Sequence, residues 1–211
     1  MKIVCLDAAT LGGDADLSEI ASLGEFESYE MTEPAQTAQR LAGADVVITN
    51  KVLIADEIMA QTALKLICVS ATGTNNIDMQ AAQARGIAVK NVAGYSTQSV
   101  VQQTFASLFA LTNALGYYAD YGSSGKWCES EIFTHIDAPI SEIYGKEFGV
   151  IGLGQIGAKV ARIAAAFGAN VRYYSTSGAN DNGEFARVSL DTLLRACDIV
   201  SIHAPLNEKT A

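Results

Sequence analysis

The feature that most restricts this chain is the hexapeptide Gly152-Leu153-Gly154-Gln155-Ile156-Gly157 together with its flanks. The run Phe148-Gly149-Val150-Ile151 precedes it as a strand, and Ile156–Phe167 reads as the helix that follows. In a strand–turn–helix of this kind the first glycine permits a tight turn and the second lets backbone approach a pyrophosphate. The third lets the helix pack closely on the strand. The free N–H groups and dipole of the helix start favour an anion there. The motif predicts a dinucleotide-binding turn, with a merely structural glycine turn as the alternative.

Discrimination between NAD and NADP is expected at the end of the next strand, where an acidic residue would hold the ribose hydroxyls. That strand runs into Ser175-Thr176-Ser177, which puts Ser175 where the carboxylate is expected. A neutral hydroxyl does not repel a 2′-phosphate, yet no arginine stands at Ser175–Ser177 to attract one. Both cofactors stay open, as does a plain polar strand end in solvent.

Before Ser96 the chain alternates short apolar runs with helical stretches. Lys2–Leu6, Phe26–Met31, Ala44–Thr49, Leu64–Ser70 and Ile87–Val92 read as strands. Ala15–Leu23, Pro34–Ala42, Ala55–Thr62 and Met79–Arg85 read as helices, with Pro34 in a first turn and Gly86 as a C-cap. The later strand runs are too continuous for a half-exposed antiparallel sheet, so a parallel sheet covered by helices on both faces is expected. From Ser96 a single long helix is expected, with Val100, Val101, Phe105, Leu108, Phe109, Leu111 and Leu115 at mostly helical spacing. Residues Gly122–Tyr144 read as irregular and contain the only tryptophan, Trp127. A second alternation follows: strand Glu147–Ile151, helix Ile156–Phe167, strand Asn170–Tyr174, helix Leu190–Ala196 and strand Asp198–His203. The expected fold is α/β with two doubly wound parallel-sheet domains. The segments are 1–95, a connector helix and dimerisation segment at 96–144, and a Rossmann domain at 145–211 that holds half of the usual strands and is incomplete at its C-terminus.

Composition narrows the function classes. Fourteen Lys+Arg against 23 Asp+Glu give a net charge of −9, which repels a phosphate backbone and sets nucleic acid aside as a partner. No apolar stretch reaches the ~18 residues of a membrane span, and Asp7 interrupts the only N-terminal apolar run, so neither a membrane nor an export signal is expected. Cys5, Cys68, Cys128 and Cys197 form no C-x-x-C pair and read as reduced, buried thiols of a cytoplasmic protein. With His135 and His203 the only histidines, no His-rich metal site is expected. Asp7 at a strand end hints at a receiver-like domain, but no acidic pair adjoins it.

Four segments together resemble the D-isomer-specific 2-hydroxyacid dehydrogenase family, which includes glycerate, phosphoglycerate, D-lactate and formate dehydrogenases. They are Ala71-Thr72-Gly73-Thr74-Asn75-Asn76-Ile77-Asp78, Asn91–Val100 leading into a helix, the glycine motif within Gly149–Gly157, and His203-Ala204-Pro205-Leu206 followed by Thr210. The resemblance implies a flavodoxin-like substrate domain ahead of the NAD(P)-binding one. It makes Thr72, Gly73 and Thr74 substrate-loop candidates, whose backbone donors hold a carboxylate; a plain turn is the alternative. It also makes Thr104 a neighbour of the nicotinamide, unless that hydroxyl merely faces its own helix backbone. His203, Pro205 and Thr210 would border the adenosine side, beside Gly152, Gly154, Gln155, Ile156, Gly157, Ser175 and Thr176. The family's catalytic Arg, Glu and His would all lie beyond Ala211, so no catalytic residue is assigned within this sequence.

The expectation is therefore an NAD- or NADP-dependent oxidoreductase of a small D-2-hydroxy or 2-oxo acid, with glycerate/hydroxypyruvate as the narrow choice. The competing expectation is a non-catalytic NAD(P)-sensing binding protein or corepressor on the same fold. A homodimer is expected through 99–144, with Phe105, Leu108, Phe109, Leu111 and Leu115 of the helix and Trp127, Phe133 and Ile136 after it supplying the apolar contact. The alternative is that these residues form a core within one chain.

Overall fold

A computed structural model describes residues 1–181, 183–207 and 210. The chain divides into two compact units, Met1–Tyr95 and Ser96–Ala211.

The first unit holds a five-stranded sheet of β1 (Lys2–Cys5), β2 (Glu25–Ser28), β3 (Val46–Thr49), β4 (Leu66–Val69) and β5 (Ala88–Asn91). The spatial order is β2-β1-β3-β4-β5 and every pair is parallel. This is the flavodoxin-like order of a doubly wound sheet. Short helices connect the strands: α1 (Ser18–Ala21), α2 (Thr37–Arg40), α3 (Asp56–Ala60) and α4 (Met79–Ala84). Val4, Leu6, Leu41, Val47, Ile54, Met59, Ile67 and Val69 form the buried core. At about 1.5–3 kcal/mol per fully buried aliphatic side chain, burial on this scale is the main term favouring the unit.

Asp7 follows β1 and is buried. Its carboxylate accepts from Thr49 Oγ1 (3.2 Å) and from the N–H groups of Asn50 (3.0 Å), Lys51 (2.6 Å) and Val52 (3.3 Å). The residue that hinted at a receiver domain is thus a structural anchor for the turn after β3.

The second unit opens with α5 (Thr97–Thr112), α6 (Leu115–Ser123) and α7 (Lys126–Glu129). The single long helix expected from Ser96 is two helices. Ala114 takes φ +47° between them, and nothing in an alanine announces a left-handed turn. Nor is 122–144 wholly irregular, since α7 lies inside it. The sheet comprises β6 (Glu147–Ile151), β7 (Asn170–Tyr174), β8 (Ala186–Arg187) and β9 (Ile199–Ile202), all parallel in the order β8-β7-β6-β9. Helices α8 (Gln155–Ala166) and α9 (Leu190–Ala196) complete it. Strand β8 escaped the sequence reading because two residues carry no periodicity. Val101 and Phe105 from α5 share a core with Phe148, Val150, Val160, Ala164 and Tyr173, against which Leu108 and Phe109 also pack. No helix among the described residues is long and apolar enough to cross a membrane. The buried-thiol expectation holds fully only for Cys5; Cys68 and Cys197 are half-buried and Cys128 is exposed.

Candidate cofactor and substrate sites

Parallel pairing aligns three strand ends. Ile151 stands beside Tyr174 on one side and Ile202 on the other, so Gly152, Ser175 and His203 each begin the turn leaving one end of the sheet. Ligands of doubly wound sheets bind at this carboxyl end. The turn after β6 is tied to both neighbours: Gly152 N–H donates to Tyr174 O (2.9 Å), and His203 N–H donates to Ile151 O (2.8 Å).

The three glycines of the motif answer to different constraints. Gly152 sits at φ +92°, and a Cβ there would lie 2.8 Å from His203 O. At Gly157 a Cβ would lie 2.0 Å from Gly152 O, so only hydrogen lets α8 close on the turn. Gly154 is the N-cap of α8 with φ −77° and ψ −163°, a conformation open to any residue, and a Cβ on it would meet nothing within 4 Å. Here the glycine keeps a space clear. No side chain caps the first turn of α8, which leaves its N–H groups open to an anion. Empty room over Gly154 beside uncapped donors fits the pyrophosphate of a dinucleotide.

At the end of β7, Ser175 is only 4% exposed, and its Oγ is buried without a hydrogen-bond partner among the described residues. The plain solvent-facing strand end is therefore incorrect for Ser175, although Thr176 is half-buried and Ser177 exposed. The turn that follows is held at two points. Tyr173 donates its hydroxyl to Asn180 O (2.7 Å), and Arg187 of β8 donates to Gly178 O (3.0 Å). Arg172, by contrast, is engaged with Glu147.

His203 shares a 2.8 Å hydrogen bond between Nε2 and Ser201 Oγ, and burial pushes its pKa down, which keeps the ring neutral. Thr210 donates to Pro205 O, and its N–H reaches Asn207 O (3.0 Å), closing the turn after β9. Thr104 Oγ1 donates to Val100 O at 2.7 Å, the helix-facing alternative, which occupies its hydroxyl proton.

In the first unit, Thr72, Gly73 and Thr74 follow β4. Thr72 Oγ1 donates to Val92 O (3.2 Å), and Thr72 O accepts from Asn91 Nδ2 (2.7 Å). Thr74 O accepts from Ile77 N (2.9 Å). Asn76 Nδ2 reaches Val52 O (3.0 Å), tying this loop to the turn that Asp7 anchors. The loop is exposed at Thr72 and Gly73, and its backbone is shaped before any ligand arrives.

Residues 105–211 match the NAD-binding domain of the D-isomer specific 2-hydroxyacid dehydrogenases. The chain belongs to that family. A glycerate dehydrogenase of Methylorubrum extorquens is 36% identical, with 99% of this chain and 65% of the relative covered. A hydroxypyruvate reductase of Blautia hydrogenotrophica is 34% identical, with 100% and 67% covered. Among solved structures, an acyclic imino acid reductase in complex with NADPH and D-Arg superposes with a TM-score of 0.81 at 29% identity, again covering 100% of this chain and 67% of that one. The chain thus spans about two thirds of the length of these relatives. Family membership makes NAD or NADP the cofactor class, and the cradle at Gly152–Gly157 lies within the matched NAD-binding domain.

The sequence reading missed Arg187. Its guanidinium reaches the turn after Ser175 from a strand too short to be seen in the sequence, so no local signal pointed to it.

Proposed function

We propose that the protein is an oxidoreductase that interconverts a small 2-oxo acid and its D-2-hydroxy acid. The observation that carries this reading is the open cradle at Gly154, bounded by two glycines that admit no side chain. Bound there, the dinucleotide would supply or accept a hydride. The chain's own residues bind and orient it. Gly152, Gly154, Gln155, Ile156 and Gly157 hold the pyrophosphate, Ser175 and Thr176 face the ribose, and His203, Pro205 and Thr210 border the adenosine. His203, held neutral, lines the site and transfers no proton. Backbone donors at Thr72–Thr74 receive the substrate carboxylate. No residue of Met1–Ala211 is assigned to acid–base chemistry. Glycerate/hydroxypyruvate is the narrow substrate choice, supported by the names of two relatives.

We also read the protein as a cytoplasmic homodimer joined through 99–144. The support is the exposure of three apolar side chains in this segment, Leu111 (82%), Phe133 (95%) and Ile136 (82%), together with a groove of about 800 Å³ lined by Phe109, Tyr118, Ile136, Ile140 and Phe167. Patches of this kind mark protein contacts.

The test is two-stage. NADH or NADPH fluorescence is titrated with Met1–Ala211, and oxidation is followed with hydroxypyruvate, glyoxylate, pyruvate and 2-oxoisocaproate in a longer chain that also carries the family's catalytic Arg, Glu and His. Saturable nucleotide binding is expected of Met1–Ala211, and turnover of one acid only of the longer chain. Binding without turnover in that longer chain would replace the enzyme with a cofactor sensor, and no binding of either nucleotide would refute the cradle itself.

A further inference from the structure

Four arginines lie in the sheet unit after Glu147, and three of them face carboxylates. Arg162 pairs with Glu184 (2.9 Å), Arg172 with Glu147, and Arg195 with Asp191 (2.9 Å). Arg187 has no carboxylate partner among the described residues, and its hydrogen bond is to the neutral carbonyl of Gly178. A guanidinium carries five donors in a planar fork, so one carbonyl leaves most of its hydrogen-bonding capacity open.

The position of this uncompensated cation is informative. Arg187 stands opposite Tyr173 in the β7–β8 register, near the end of the strand that leads to Ser175. The turn it grips comprises Ser175, Thr176, Ser177 and Gly178, which supply three hydroxyls and no carboxylate. A Cβ on Gly178 would lie 3.7 Å from Arg187 Nη2, so the second guanidinium nitrogen also borders the turn. In a doubly wound nucleotide fold, the residues after this strand meet the adenosine ribose; a carboxylate there selects NAD, and a nearby arginine accommodates a 2′-phosphate. Among the described residues the carboxylates near the turn are engaged elsewhere, Glu184 in an ion pair with Arg162 and Asp181 Oδ1 in accepting Gly183 N–H (3.2 Å), and neither forms an ion pair with Arg187. The unpartnered Ser175 hydroxyl points the same way. A buried unsatisfied hydroxyl is unfavourable, and a ligand oxygen at this strand end would relieve it.

We propose that Arg187 receives the 2′-phosphate of NADPH beside the hydroxyls of the Ser175–Ser177 turn, and that it sets the chain's preference for NADPH over NADH. The inference rests on the dinucleotide reading of the glycine cradle. Charge comes from Arg187, geometry from its bond to Gly178, and tolerance from the absence of an acidic residue at Ser175.

Equilibrium fluorescence titration of NADPH and NADH against the protein, its Arg187→Gln and its Arg187→Lys variants tests this, with 2′,5′-ADP and 5′-AMP as competitors. The wild type is expected to bind NADPH more tightly than NADH and 2′,5′-ADP more tightly than 5′-AMP. In Arg187→Gln the NADPH dissociation constant should rise about tenfold or more, the magnitude of a lost charge-assisted contact, with NADH little changed. Arg187→Lys should keep part of the preference, and added salt should narrow the gap between the two nucleotides. Equal weakening of both nucleotides by Arg187→Gln would make Arg187 a brace for the turn and overturn the proposal. An unchanged NADPH/NADH ratio, or a wild type that prefers NADH, would overturn it as well. Failure of the wild type to bind either nucleotide would be distinguishable, because it removes the cradle and the proposal together.

Discussion

A pair of substitutions in the glycine motif separates binding from folding. In Gly157→Ala the new methyl carbon would stand 2.0 Å from Gly152 O, 3.1 Å from Gly152 C and 3.2 Å from Val150 Cγ1. Two of these neighbours are backbone, and Gly152 is fixed by its bond to Tyr174 O, so α8 must move outward by roughly 1 Å. Overpacking of this kind costs about 1–3 kcal/mol, and the displaced helix start also loses its aim at the anion. In Gly154→Val the side chain would enter empty space from a backbone conformation any residue adopts. Folding stability should therefore change by less than about 0.5 kcal/mol, or rise slightly through a less flexible unfolded chain. The isopropyl group would nevertheless fill the room left for the pyrophosphate. Thermal or urea unfolding beside NADPH fluorescence titration reads both quantities. The expected pattern is lost binding with unchanged stability for Gly154→Val, and lower stability with weakened binding for Gly157→Ala. Wild-type affinity in Gly154→Val would refute the view that this glycine exists to let a ligand approach.

Three further outcomes are expected. Asp7→Ala should destabilise the first unit by about 2–5 kcal/mol in urea, because it strands the N–H groups of Asn50, Lys51 and Val52; a loss under 1 kcal/mol would mean that water replaces the carboxylate. Burial lowers the pKa of His203 in the folded state, so the unfolded chain takes up its proton first. The stability this residue contributes is complete above about pH 6.5 and is lost as pH falls from there toward the folded pKa. His203→Gln should flatten that part of the melting-temperature profile, and parallel profiles for the two proteins would contradict the burial argument. Finally, Phe133→Asp should convert the dimer to a monomer near 22 kDa in sedimentation, whereas an unaltered dimer would place the contact away from Phe133.

How much could be read in advance depended on whether a residue's role is local. The strands around Val4, Val47 and Ile67 were legible because each is a continuous apolar run. The glycine motif was legible because its spacing is local: Gly152 takes φ +92° in the turn, Gly157 must clear the carbonyl of Gly152 within the same hexapeptide, and Gly154 between them leaves room for a ligand. Leu108 and Leu111 fit one helical stripe in the sequence, but Leu108 packs on the core of its own unit while Leu111 is exposed. Which side of a helix the rest of the chain covers is a tertiary fact. The left-handed backbone at Ala114 and the burial of Ser175 likewise leave no mark in the local sequence. Arg187 belongs with these, since its reach to Gly178 needs a strand that only pairing with β7 creates.

The bonds from Gly152 to Tyr174 and from His203 to Ile151 also bear on timing. A turn sewn to the strands on either side should open only when the sheet itself does, so the amides of Gly152 and His203 should exchange with deuterium as slowly as those of the strand interiors, with or without nucleotide. A turn already shaped in the resting protein gives up little disorder when a ligand meets it. Capture of the pyrophosphate should then follow a single concentration-dependent rate, with no slow phase for loop closure at that end of the molecule.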